Sequence, residues 1–345
     1  MSAHRDREPV PQVRVHGVDD VRVDRVDAPR PGPRDVVVEV AQCGICGTDL
    51  SYVAMGGLPG APSPMPLGHE FAGVVAEVGG EVRHLAVGDR VVVNPEGNAN
   101  GIGGVGGVGA FTPRVLVRGA ADDADAVLRL PDHLSFEQGA LVEPMSVGLH
   151  AVHQSKVRPG DAAVVFGAGT IGLAIVLGLR ASGVERIASV DLAPERLALA
   201  ERLGAVPVRG DAPDLAARLR ELHGDASVMG APAPATDVWF EATGAGPVFE
   251  RMLRMTRVGA RIVVVGVHKA PVRLDLVNML IREQEIVASI AYPREFPEVL
   301  GLIASGALDP MPLVTHRFGL SQFDEAFATA RDASRAVKVL VDCQR

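Results

Sequence analysis

The sequence predicts an α/β protein in which a β-rich domain of small-barrel or sandwich type is joined to a doubly wound parallel sheet. Three observations predict it. The length of 345 residues suits about two domains. Near residue 161 the patterning changes from short β-branched runs to strands that alternate with helices. At that change, Gly167-Ala-Gly-Thr-Ile-Gly172 closes one strand and opens a helix.

The elements follow in order. Asp35-Val-Val-Val-Glu-Val-Ala41, Phe71 to Val78 and Arg90-Val-Val-Val93 are β-branched runs bounded by Gly, Pro or Asp, and they read as strands of the first domain. Strand 163–167 then precedes helix 171–182, and strand 186–191 precedes helix 194–203. A helix near 215–222, strand 237–241, a helix near 248–255 and strand 261–266 continue the alternation. Such βαβ units imply a parallel sheet with right-handed crossovers. The chain ends in an apolar strand, 336–341. Two low-complexity stretches, 101–109 and 231–235, read as loops.

Composition narrows the function classes. Apolar residues at 47% and charged residues at 22% are the balance of an ordinary globular chain. A net charge of −8 argues against nucleic acid and anionic membrane as partners, because both need clustered cations. Three cysteines do not make a disulfide framework, and a cytoplasmic setting is expected. Met1 to Gln12 has no apolar core and is not expected to be a secretion signal. Residues 162–179 carry no charge for the length of a membrane span, but four glycines make a strand, a turn and a buried helix the better reading.

The glycine motif has decoys. Gly101 to Gly106 and Gly104 to Gly109 match the same spacing, yet neither follows a strand, and Pro113 interrupts any later helix. At Gly167, Gly169 and Gly172 the context is the required one. Glycines allow a tight turn and close approach of backbone to a pyrophosphate, and the start of the helix at Ile171 supplies oriented N–H groups. Asp191, at the end of the next strand, is placed to accept both ribose hydroxyls and to repel a 2′-phosphate, which favours NAD over NADP.

A second constellation is Cys43-Gly-Ile-Cys46-Gly-Thr48-Asp49 with Gly68-His69-Glu70. A CxxC pair alone is compatible with a redox pair, half a zinc site or coincidence, and a His-Glu dipeptide alone means little. Together they offer a thiolate, an imidazole and a carboxylate, a donor set that suits zinc in open catalytic sites. Glu143, inside the apolar run Leu141 to Gly148, needs a partner that a metal or its water would provide.

These segments, together with Val87-Gly-Asp-Arg-Val-Val-Val93 and the Asp191-x4-Arg196 spacing, resemble the zinc-containing medium-chain dehydrogenases from about Val13 to Val341. The Glu143 segment is similar to the sorbitol, threonine and butanediol dehydrogenase branch. The resemblance implies a GroES-like β-barrel catalytic domain over 1–150 and 290–345. A Rossmann NAD-binding domain over 151–289 would be inserted between its parts, with the active site in the cleft. It implies one catalytic Zn²⁺ held by Cys46, His69 and Glu70, with Glu143 as a fourth ligand or joined through the metal's water. Thr48 corresponds to the hydroxyl that touches the substrate oxygen, while Asp49 and Lys338 stand behind the ligands. Gly167, Gly169, Thr170, Ile171, Gly172, Asp191, Arg196, Val265, Gly266 and Val267 fall on cofactor positions. Tyr52, Phe111 and Tyr292 fall on the substrate pocket. The implied reaction moves a hydride between a secondary alcohol (polyol, diol, amino alcohol or cyclic alcohol) and NAD⁺, giving a ketone, in a homodimer or homotetramer. A zinc-dependent carbonyl reductase using NADH is the alternative, and a non-catalytic nucleotide-binding relative a remote one.

Departures from the family pattern limit the substrate. Residues 94–109 contain no cysteine, so no structural zinc is expected. Ser51 stands where a relay histidine is usual, and Ala291 stands where sorbitol-type enzymes have an arginine. Arg114 has two readings, a contact for an anionic substrate group or a solvated surface arginine. His150 and His153 are expected to pack or cap, His268 to lie by the cofactor turn, and Cys343 to be an inert thiol.

Overall fold

The computed structural model describes residues 8–345; the opening segment read for a secretion signal lies outside that range up to residue 7. Two compact units emerge. One comprises Met1–Glu143, Val314–Asp332 and Lys338–Arg345, and the other Pro144–Leu313 and Ala333–Val337.

The first unit is built on a seven-stranded sheet. Its order is Val314–Gly319, Lys338–Asp342, Val36–Ile45, Glu70–Val78, Arg90–Val93 and Val127–Arg129, with Arg114–Val117 paired to Val36–Ile45. A smaller sheet joins Asp20–Val26, Val10–Gly17 and Met65–Pro66. β-Branched runs fill the interior: Val36, Val37, Val38, Val40, Val91 and Val93 have no exposure. Lys338–Asp342, Val36–Ile45 and Glu70–Val78 lie side by side, with Val339 opposite Ile45 and Gly44 opposite Glu70. This register brings Cys46, Glu70 and Lys338 to one end of three adjacent strands.

The second unit carries the expected parallel sheet, with six strands in the order Val206–Arg209, Arg186–Asp191, Ala162–Phe166, Val238–Glu241, Arg261–Val264 and Glu285–Ala288. Numbered by sequence within the sheet, this is the 3-2-1-4-5-6 order of dinucleotide-binding folds. The patterning names only the inner strands. Both edge strands, Val206–Arg209 and Glu285–Ala288, are four residues long and mostly half-buried or exposed, so they lack the continuous apolar run of a central parallel strand. The compact unit also runs past 289: helix Glu295–Ala304 belongs to it, and 333–337 joins it through Val337 O and Ala336 O, which accept hydrogen bonds from Thr170 and Arg196.

One loop expectation is corrected. Residues 231–235 are not a loop: Ala231–Pro234 pairs antiparallel with Asp225–Val228. The turn between them is Met229-Gly230, both with positive φ (50° and 84°), as a two-residue hairpin turn requires. The ribbon stands as a separate two-stranded sheet, so the N–H groups that Pro232 and Pro234 lack need not complete a larger ladder. The glycine-rich stretch 101–109 does form turns and loop, and no helix of the described residues is long and apolar enough to cross a membrane.

Candidate active site

Ile45 ends its strand, and Cys46 caps the helix Gly47–Met55 in extended conformation (φ −99°, ψ 155°). The helix forms because Asp49 in its first turn accepts the Cys46 backbone N–H at 2.9 Å, and Gly56 leaves it in the left-handed region. The same Asp49 carboxylate accepts the Gly68 N–H at 3.3 Å and faces His69 Nδ1 at 3.6 Å. One fully buried acid therefore fixes both segments that the sequence singles out.

A ligand atom from each of Cys46, His69 and Glu70 lies within 4.8 Å of the others. Among the described residues no other His, Cys, Asp or Glu group meets that condition. Four donors placed tetrahedrally around zinc at about 2.0–2.3 Å are roughly 3.3–3.8 Å apart, so side-chain adjustments of about an ångström close the set. Glu70 is buried, and both of its oxygens accept from Lys338 Nζ at 2.7 Å; that ammonium also donates to Ile45 O at 3.1 Å. Gly44 makes the room, because a Cβ there would fall 2.1 Å from Glu70 Oε2. Glu143 opens the helix Val142–Ser155, is 8% exposed, and lies outside the three-atom group. The carboxyls of Glu70 and Glu143 and the Cys46 thiol thus act on one buried ammonium, while Asp49 adds a further buried carboxyl beside His69. A dication fits this excess of acid.

The electrostatics agree. Burial is the largest single influence and pulls the His69 imidazole down, but Asp49, Cys46 and Glu143 together outweigh it, and the net value lies well above the ordinary one. A metal entering here must displace that proton. Burial raises Asp49 despite His69 and its two backbone donors. Lys338 is pulled down by burial and pushed up more strongly by Glu70, Cys46 and Glu143, so it stays charged. Burial pushes the Cys43 thiol well up, as fits a packed cysteine.

In the parallel-sheet unit, backbone does most of the work. Gly167 (φ 97°) turns the chain after Phe166 and donates to Val190 O at 2.8 Å. A Cβ on Gly172 would fall 1.7 Å from Gly167 O, so only glycine lets the helix Thr170–Ala181 start this close to the strand. Gly169 brings no side chain to the helix start. Asp191 closes the turn: its carboxylate accepts from Ala168 N at 2.6 Å and from Leu192 N and Ala193 N at 2.7 and 2.9 Å. Arg196 reaches beside Gly169 and donates to Ala336 O, and Thr170 Oγ1 donates to Val337 O. Ile171 is partly buried in the first turn of the same helix. Val265 and Gly266 both donate to Glu241 O, while Val267 is exposed. The sequence reading missed Glu241. Fully buried at the end of Val238–Glu241, it accepts from Thr243, Gly244 N and His268 Nε2 (2.9 Å). The signal was an acid at the carboxyl end of a central parallel strand.

The remaining predicted residues divide. Thr48 lies in the first turn beside Cys46, and Tyr52 is half-buried one turn on, with burial raising its pKa. Phe111 has no exposure and packs its ring 5.0 Å from Phe323, so it is a core side chain rather than an open pocket wall. Tyr292 is buried in the other unit with its ring 5.7 Å from Phe296. Ser51 donates to Gly47 O within its own helix. Arg114 lies 3.8 Å from both Glu39 and Glu77 on its own sheet, which supports the surface reading. His150 and His153 both pair with Glu295, at 2.9 and 3.1 Å. The Cys343 thiol is buried with its pKa raised.

Comparison with known proteins adds a second line. The alcohol dehydrogenase GroES-like domain matches residues 32–132, and the zinc-binding dehydrogenase family matches residues 170–305. (R,R)-Butanediol dehydrogenase of Bacillus subtilis is 35% identical, over 95% of this chain and 98% of its own. Sorbitol dehydrogenase of Rattus norvegicus is 35% identical, over 95% and 94%. The crystal structure of 2R,3R-butanediol dehydrogenase from Bacillus subtilis shares the fold at a TM-score of 0.85 and 35% identity, covering 96% of this chain and 99% of that one.

Proposed function

Because the chain belongs to the zinc-containing medium-chain dehydrogenases, in the branch of the sorbitol and butanediol enzymes, we propose that it oxidises a secondary alcohol bearing a second polar group, with NAD⁺ as hydride acceptor. The observation that carries this reading is the meeting of half-buried Cys46 and His69 with the buried, Lys338-paired Glu70. One zinc per chain is proposed, held by these three side chains with Glu143 close to the set. Zinc bound there supplies a Lewis acid that makes an alcohol hydroxyl far easier to deprotonate.

The chain's own residues do the rest. Asp49 faces His69 Nδ1 at 3.6 Å and is proposed to favour a proton on that nitrogen, leaving Nε2 for the metal. Lys338 keeps the buried Glu70 carboxylate in place. Thr48 Oγ1 is proposed to take the substrate proton. Ser51, which is engaged with Gly47 O, is not proposed to pass it on. At the other site, the open start of helix Thr170–Ala181 is proposed to hold the pyrophosphate, and Asp191 the adenosine ribose, giving NAD preference over NADP. Tyr52, one turn beyond Thr48 on the same helix, is proposed to border the substrate.

We also propose a homo-oligomer, dimer or tetramer, in the cytoplasm. Glu285–Ala288 is an edge strand, and the neighbouring helix Leu276–Arg282 has no buried residue although Leu276, Val277 and Leu280 are each more than 65% exposed. Exposed apolar side chains clustered on one helix support an interface there.

The test is NADH formation across polyols, vicinal diols, amino alcohols and cyclic secondary alcohols, with NAD⁺ or NADP⁺ and with or without a chelator. A chelator-sensitive, NAD⁺-selective hit supports the reading. Silence across the panel, with ketone reduction by NADH, would favour the carbonyl reductase.

A further inference from the structure

The glycine-rich stretch 101–109 matched the dinucleotide spacing without its context, and the proposed reaction leaves it unused. The structure gives it a different place. Its backbone lies against the peptide that carries His69. A Cβ on Gly103 would fall 2.7 Å from Gly68 O and 3.1 Å from His69 Cβ, and Gly103 has a φ of 76°, which side chains rarely adopt. A Cβ on Gly109 would fall 2.3 Å from Leu67 O. The next residues bond the same segment directly, Ala110 N to Gly68 O at 2.9 Å and Phe111 N to Leu67 O at 3.1 Å.

The stretch is also held rigidly at its base. Gly103 N donates to Val108 O and Gly106 N to Gly101 O. Asn100, 3% exposed, donates to Gly97 O and Arg118 O and accepts from Arg118 N, and the Arg118 guanidinium donates to Gly106 O at 2.9 Å. Leu67–His69 therefore lies between Asp49 on one side and a self-stapled glycine turn on the other.

We infer that the 101–109 turn is a backing plate that positions His69 as a metal ligand, and that Gly103 is its contact point. This rests on the reading of Cys46, His69 and Glu70 as zinc ligands. A side chain at 103 has backbone on its path, so the Gly68–His69 peptide must move and carry the imidazole out of register with Cys46 and Glu70. Gly104 is the internal control, because its Cβ would meet nothing nearer than 3.8 Å.

The experiment compares the full-length protein with its Gly103→Ala and Gly104→Ala forms. It measures zinc affinity by chelator competition, the visible spectrum after cobalt(II) loading, and the melting temperature of the metal-free protein. Gly103→Ala should weaken zinc roughly 10- to 100-fold, the usual range for residues that orient a ligand, and should change the cobalt(II) spectrum. Gly104→Ala should stay within about twofold and leave the spectrum alone. Equal losses in both forms, or an unchanged affinity and spectrum in Gly103→Ala, overturn the inference while the zinc reading stands. Failure of the unaltered protein to bind zinc overturns both. Should Gly103→Ala not fold, Arg118→Ala decides, since it only frees Gly106 O: a loss of about threefold supports the plate, and no change overturns it.

Discussion

Two regions of the molecule are proposed to hold charged ligands by opposite means. In the β-rich unit, side chains from three adjacent strands converge: Cys46, Glu70 and Lys338, with His69 and Asp49 alongside. In the parallel-sheet unit, the backbone does it: Gly167, the helix start at Gly169, and an acid that ties the turn through three N–H groups. The difference teaches where each site is fragile. A side-chain site fails when a donor is lost, and a backbone site fails when an atom is added.

The largest expected effect breaks one site and spares the other. Cys46→Ser should lower turnover by roughly a thousandfold or more, as the loss of about 4 kcal/mol of transition-state stabilisation implies, while NAD⁺ affinity measured by calorimetry stays the same. The mirror experiment adds an atom. Gly172→Ala puts a methyl where Gly167 O already lies, and NAD⁺ affinity should fall about 100-fold (roughly 2.7 kcal/mol) with zinc content unchanged. Loss of zinc in Gly172→Ala, or loss of NAD⁺ in Cys46→Ser, would show that the two sites are not the separate devices described.

Of the expected site residues, types were easier to read than geometry. Cys46, His69 and Glu70 were legible because a thiol, an imidazole and an acid in two short segments suit a metal, and because the family resemblance picked out Cys46 rather than Cys43 as the ligand. The strand register that unites them, Gly44 opposite Glu70, was not, since it depends on pairing between segments that no local pattern specifies. Gly44 itself was hidden for that reason. The glycine turn was legible down to single residues because its constraint is local: strand, turn and helix are consecutive. Glu241 escaped because its partners, Thr243 and His268, are identified only by the turn that follows its strand. The edge strands escaped because short, half-exposed pairing leaves little apolar signature, and the Ala231–Pro234 ribbon because prolines read as loop.

Smaller effects sharpen the comparison through stability. Lys338→Met leaves Glu70 buried without its cation, and urea unfolding of the zinc-free protein should show a loss of about 3 kcal/mol; adding Glu70→Gln should recover most of it. Full stability in Lys338→Met alone would mean that Glu70 is not held as an ion. In the other unit, His223 is buried against Thr236, and burial, with Arg186 beside it, lowers its pKa to about 4. Its folded value lies below the unfolded one, so the neutral form stabilises the fold. That contribution is complete above about pH 6.5 and is lost as pH falls towards 4, up to about 3 kcal/mol. His223→Gln should flatten this slope in pH-dependent denaturation, and an unchanged slope would assign it elsewhere.

The central claim is that the converging side chains hold a catalytic zinc. Its most direct measurement is stepwise return of zinc to chelator-stripped protein, with NADH formation from the best alcohol and NAD⁺ binding followed together. The account predicts no turnover in the stripped protein, intact NAD⁺ binding, and recovery that levels off at one zinc per chain. Full turnover by the zinc-free protein would contradict it.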